Sequence, residues 1–193
     1  MKTITVYCSS SNQIDTVYKQ AAEQLGALIG ANGWRCCNGG GSFGLMKTVT
    51  DSTLEHGGEV VGVIPQFMID NGWCHAALTE VVSTDTMHHR QETMHQLSDA
   101  LVALPGGCGT FLELIESITF KQLGIINMPI IILNVNHYFD PLIEQLQRAM
   151  AEHFMHPKHA ELWTVVETVG EVKKAIRETS KWDSSLLKAE RGK

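Results

Sequence analysis

A doubly wound parallel α/β sheet flanked by helices is the architecture this sequence predicts, on three observations. Short apolar runs alternate with segments of helical periodicity. The Ile- and Val-rich runs lack the every-second-residue alternation of a half-exposed strand, so both of their faces must be covered. Two of the runs pass directly into glycine-rich loops that open helices. The 193 residues suit one domain able to bury a core without staples. That domain is expected over residues 1–180, with a polar, frayed tail over 181–193.

Each element follows in turn. Ile4 to Cys8 is the first strand. Asp15 opens a helix in which Val17, Ala21, Leu25, Leu28 and Ile29 recur at helical spacing, and Asn32-Gly33 stops it. Trp34 to Cys37 leads into Gly39-Gly40-Gly41-Ser42-Phe43-Gly44, and a second helix runs on to His56-Gly57-Gly58. Val60 to Ile64 is strand-like, Pro65 to His75 is polar and irregular, Glu80 to Ser83 is a weaker strand, and a helix covers about His88 to Leu97. Ala100 to Leu104 is a buried strand feeding Pro105-Gly106-Gly107-Cys108-Gly109-Thr110, followed by a helix to about Leu123. Ile130 to Leu133 is the strongest strand, and helices around Leu142 to Glu152 and Glu171 to Glu178 complete the chain.

Composition narrows the classes of function. With 15 Lys+Arg against 21 Asp+Glu, the formal net charge is −6, which disfavours nucleic acid and anionic membrane surfaces as partners. Five cysteines (Cys8, Cys36, Cys37, Cys74, Cys108) with neither CxxC nor zinc-finger spacing point to a reducing compartment. The N-terminal run has no apolar signal-peptide core, and no stretch approaches the ~20 apolar residues of a membrane span. A cytoplasmic protein is expected.

In such sheets ligands sit at the carboxyl ends of the strands, where both glycine-rich loops lie. Gly39-Gly40-Gly41 and Gly106-Gly107-x-Gly109 can each present backbone N–H groups to an anion, and together they suggest one phosphate or phosphosugar. The plainer reading of either loop is a tight turn with a helix packed behind it. Neither fits GxxxxGK[ST] or GxGxxG. Thr110-Phe111-Leu112-Glu113 has the spacing of a capping box, in which Glu113 only reaches back to a backbone N–H. Yet Glu116 lies one turn on, so two carboxylates share a face at the mouth of an anion loop, which suits stabilising a cation or activating water. Arg90 can fork onto a phosphate or remain a surface residue. His88, His89 and His95 lack a convincing ligand spacing, so no metal is expected. Cys108 at a helix start is read as a loop thiol rather than a nucleophile.

Met87-His88-x-Arg90, Leu104-Pro-Gly-Gly-x-Gly-Thr-x-x-Glu113 and the upstream Gly39-Gly-Gly-x-x-Gly44-Leu-Met46 closely resemble the Lonely Guy family of cytokinin riboside 5′-monophosphate phosphoribohydrolases, also labelled possible lysine decarboxylases. The resemblance covers about residues 3 to 178. It implies a Rossmann-like nucleotide-binding domain, a homodimer, and hydrolysis of the N-glycosidic bond of adenine-type nucleoside 5′-monophosphates. AMP or a cytokinin riboside 5′-monophosphate would yield free base and ribose 5-phosphate, without cofactor. By the same resemblance Arg90 and Glu113 are the catalytic pair. The substrate- and phosphate-binding set is Ser10, Gly39, Gly40, Gly41, Gly44, Met46, Gln91, Gly106, Gly107, Cys108, Gly109, Thr110, Glu116 and Thr119. No context for a pyridoxal phosphate lysine supports the decarboxylase label. Helices carrying Met87, Met94 and Leu97, or Phe120 and Leu123, are expected to supply the association surface. This chain departs from the family pattern at Ser9, Lys47, Gly72 and Gln91, the last in place of a Lys expected near phosphate or base. The alternative reading is a non-catalytic nucleotide or molybdenum-cofactor carrier of the same fold.

Overall fold

The computed structural model describes residues 1–185. Seven parallel strands form one sheet in the order β4-β3-β2-β1-β5-β6-β7. They are β1 (Thr3–Tyr7), β2 (Arg35–Asn38), β3 (Glu59–Pro65), β4 (Glu80–Thr84), β5 (Ala100–Ala103), β6 (Ile130–Leu133) and β7 (Thr164–Val166). The helices are α1 (Thr16–Ala31), α2 (Gly44–Glu55), α3 (Gln66–Asp70), α4 (Met87–Leu97), α5 (Cys108–Gln122), α6 (Asp140–Ala151) and α7 (Val169–Glu178). The chain winds outward from β1 to β4, then returns to place β5 against the other side of β1. Strand order therefore reverses between β1 and β5, and a crevice opens at their carboxyl ends.

The uniform apolar runs follow from two covered faces. In β1, β5 and β6, Ile4, Val6, Ala100, Val102, Ile131 and Leu133 pack toward α1, α2 and α7. Tyr7, Leu101, Ala103, Ile130 and Ile132 pack on the opposite face with Met94, Leu114, Ile118 and Phe139. Helix starts have local causes: Asp15 accepts from the Val17 N–H at 3.2 Å, and Thr86 accepts from the His89 N–H at 3.0 Å.

Three expectations change. The stretch after Pro65 contains α3, a helix too short to show a period. A seventh strand, β7, pairs with β6 at the sheet edge. The polar tail is docked at least through Trp182, which is 7% exposed, donates its backbone N–H to Asn127 Oδ1 at 2.7 Å and its indole N–H to the Gln122 carbonyl at 3.1 Å. One indole outweighs the polar residues around it. Residues 186–193 of the expected tail lie outside the described residues.

Candidate active site

A cleft of about 660 Å³ opens at the crevice. Its charged centre is built by two helices. Arg90, in the first turn of α4, is only 6% exposed; its Nε donates to the Val63 carbonyl at 3.0 Å and its Nη1 to Glu113 Oε1 at 2.8 Å. Anchoring by β3 and by the carboxylate fixes the guanidinium plane. Burial pushes the Glu113 carboxyl above the usual carboxylate range, Arg90 opposes the shift without cancelling it, and Glu116 adds to it.

Gly39 makes room for this pair. A Cβ there would lie 2.1 Å from Arg90 Nη2 and 3.2 Å from Cζ, so the guanidinium lies directly over bare backbone. The rest of the triplet is committed internally: the Gly40 N–H donates to Asn38 Oδ1 at 2.8 Å and the Gly41 N–H meets Met46 Sδ at 3.0 Å. The start of α2 is likewise filled, with the Gly44 N–H on Asn12 Oδ1 at 2.9 Å and the Met46 N–H on the Ser9 carbonyl at 3.3 Å. The expectation that both glycine loops cradle one phosphate is therefore corrected. Side chains at hand have already taken the amides of Gly40 and Gly41.

The start of α5 is different. Gly107 is its N-cap and no side chain caps it, while the first helical bond runs from the Phe111 N–H to the Gly107 carbonyl at 3.0 Å. The N–H groups of Cys108, Gly109 and Thr110 precede that bond, and these residues line the cleft. The capping-box expectation fails for the same reason. With the helix starting at Cys108, Glu113 is about one and a half turns in and turns to Arg90 instead. Gly106 is required behind the loop, where a Cβ would lie 2.1 Å from Thr110 Oγ1.

Of the residues expected to touch substrate, Ser10, Gly39, Gly41, Met46, Gly107, Cys108, Gly109 and Thr110 line the cleft together with Arg90 and Glu113. Gly40, Gly44 and Gly106 shape it from behind. Thr119 is exposed on α5 with its hydroxyl donating to the Ile115 carbonyl at 2.8 Å, and Glu116 lies outside the lining. Gln91 is not in the cleft either. It is 4% exposed, beneath α5, donating to Tyr7 OH at 2.9 Å and to the Glu113 carbonyl at 3.3 Å. His95 joins this layer through Ser117 at 2.8 Å, and burial lowers its pKa to about 4, which keeps the ring neutral. Met94, expected on an association surface, is fully buried in the core.

The apolar wall formed by Phe43, Ile64, Met68, Trp73 and Met87 was not named residue by residue from the sequence. The available signal was a large aromatic residue, Trp73, in a polar segment with no period to bury it.

A family model described as "possible lysine decarboxylase" matches residues 46–176, a span that contains both Arg90 and Glu113. A cytokinin riboside 5′-monophosphate phosphoribohydrolase from Rhodococcoides fascians is 40% identical over 157 residues, covering 81% of this chain and 79% of that protein. One from Arabidopsis thaliana is 36% identical over 175 residues, covering 91% and 81%. The chain belongs to the Lonely Guy family. Among solved structures, the molybdenum cofactor carrier protein of Chlamydomonas reinhardtii superposes with a TM-score of 0.70 at 22% identity, over 92% of this chain and 97% of that one. The molybdenum cofactor binding protein of Rippkaea orientalis superposes with 0.69 at 20% identity, over 91% and 95%. At such identities the likeness is one of fold. For this Lonely Guy member the family relationship supports a hydrolase, and the charged pair at the crevice is where its chemistry is to be sought.

Proposed function

We propose that this chain hydrolyses the N-glycosidic bond of adenine-type nucleoside 5′-monophosphates, with AMP as the simplest substrate and a cytokinin riboside 5′-monophosphate as the more elaborate one. The observation that carries the reading is the buried Arg90–Glu113 pair, 2.8 Å apart, beside the uncapped start of α5. The substrate phosphate binds the N–H groups of Cys108 to Thr110, so its binding energy holds the ribose against Glu113. As the C1′–N bond breaks, the ionised carboxylate stabilises the oxocarbenium-like ribose cation and accepts a proton from the attacking water. The water oxygen bonds to C1′, and the departing base leaves with a proton from solvent. Arg90 is a permanent cation and a poor proton donor; its task is to hold Glu113 and the leaving group in line. Desolvation makes Glu113 more basic, which suits it to this role.

The carrier reading is weaker because it gives a desolvated carboxylate at the mouth of an anion site no task. We place the enzyme in the cytoplasm as a homodimer without nucleic acid as partner; no helix among the described residues is long and apolar enough to cross a membrane. The test is a panel of nucleoside 5′-monophosphates, with and without chelator, scored for free base. Release from adenine nucleotides that resists chelation supports the reading. Tight nucleotide binding with no base released from any member supports the carrier.

A further inference from the structure

We propose that Trp73 is the stacking platform for the base, and therefore a binding and specificity-determining residue of the cleft; this rests on the nucleotide reading above. Trp73 is 45% exposed, yet it lies on the cleft wall rather than on an outer surface. Its exposure is not isolated, since Phe43 at 44% and Met87 at 42% line the same cleft, and a contiguous exposed apolar lining marks a ligand-binding groove.

The segment that carries the indole is held tightly. The Trp73 N–H donates to the Met68 carbonyl at 3.0 Å, and the Trp73 carbonyl accepts from the Ser42 N–H at 2.9 Å. Cys74 forms an antiparallel bridge with Gly41, and the His75 N–H donates to the Gly40 carbonyl at 2.8 Å. The His75 ring adds a 2.9 Å contact to Asp51 on α2. The backbone that presents this aromatic is therefore fixed before a ligand arrives, and only the two side-chain torsions of the indole remain to be ordered on binding.

The glycine triplet also sets its distance from the chemistry. Gly39 lies against the Arg90 guanidinium, whereas Gly41 pairs beside Trp73. Two residues of chain span at most about 7 Å, so the backbone that carries Trp73 lies close to the Arg90–Glu113 pair. With the phosphate at the start of α5 and the ribose at Arg90–Glu113, the base falls on the wall where Trp73 meets Phe43 and Met68. A flat indole accepts any base face but overlaps a purine more fully than a pyrimidine.

The test compares AMP with ribose 5-phosphate, the same ligand without its base, on the wild-type chain, Trp73→Ala and Trp73→Phe. Trp73→Ala is expected to raise KM for AMP by about tenfold or more, leaving inhibition by ribose 5-phosphate within about twofold; Trp73→Phe restores most of the loss. Of the four tryptophans only Trp73 lines the cleft, so AMP quenches indole emission in the wild type, ribose 5-phosphate does not, and Trp73→Phe abolishes the quench. An unchanged KM for AMP in Trp73→Ala overturns the proposal. So does equal weakening of AMP and ribose 5-phosphate, which marks a loop that has collapsed or an interface with a second copy. Base release from AMP without quenching removes Trp73 alone, whereas neither release nor binding removes the nucleotide reading and this one together.

Discussion

Glu113 is buried far enough that desolvation outweighs the attraction of Arg90, and its proton is held more tightly than on an ordinary carboxylate. Activity that needs the anion is present above the raised pKa and is lost as pH falls through it. The acid limb of kcat/KM is therefore expected at higher pH than an unperturbed glutamate would give. Glu113→Gln is expected to lower turnover by on the order of 10²-fold or more and to remove that limb, which a pH profile of both proteins checks. Gln91 makes a second test at this scale. Its place beneath α5, with Nε2 at 3.3 Å from the Glu113 carbonyl, removes it from the phosphate and from the salt dependence expected of a charge there. Gln91→Lys instead puts a cation behind the carboxylate. The expected result is an acid limb moved to lower pH with an unchanged salt slope, measured as kcat/KM against pH at two ionic strengths. A steeper salt slope would return residue 91 to the substrate.

At the scale of elements, the loop between β2 and α2 exists to pass a guanidinium over bare backbone. Gly39→Ala drives a methyl into Arg90 Nη2, the far end of a flexible side chain, so the residue swings away while the fold accommodates the change. Turnover is expected to drop by on the order of 10²-fold with a thermal midpoint within a few degrees of wild type, both measured on one preparation. Normal turnover would mean that the Arg90 pose is dispensable. The helices were legible because their ends are local chemistry: Asp15 caps α1 and Asn32-Gly33 ends it. The strands were legible as unbroken apolar runs because both sheet faces are covered. Five residues of α3 and three of β7 are too few to carry a period, and tertiary packing holds them. Arg90 and Glu113 were singled out by their motif and by the two carboxylates on one helix face, and the structure sets the two side chains 2.8 Å apart. Spacing favoured a cap at Glu113, whereas the helix begins at Cys108, two residues before the Thr110 that a capping box would need as its N-cap. The triplet misled because the amides of Gly40 and Gly41 are taken by Asn38 and Met46, contacts set by the turn.

For the whole molecule, α5 both carries the carboxylate and leaves Leu112, Ile115 and Leu123 exposed along its outer face, with Ile125 beyond it. The proposed homodimer is expected to cover this stripe with a second copy of the chain. Sedimentation at micromolar concentration is expected to show twice the 21.3 kDa chain mass, with Leu112→Asp plus Leu123→Asp shifting it toward the monomer; a monomeric wild type contradicts this.

Phosphate bound at the start of α5 is proposed to drive hydrolysis at Glu113. The rates of adenine release from AMP and from adenosine by the same enzyme preparation measure this coupling. Because phosphate binding positions the ribose, release from AMP is expected to exceed that from adenosine in kcat/KM by on the order of 10²-fold. Equal rates on the two substrates would contradict the claim.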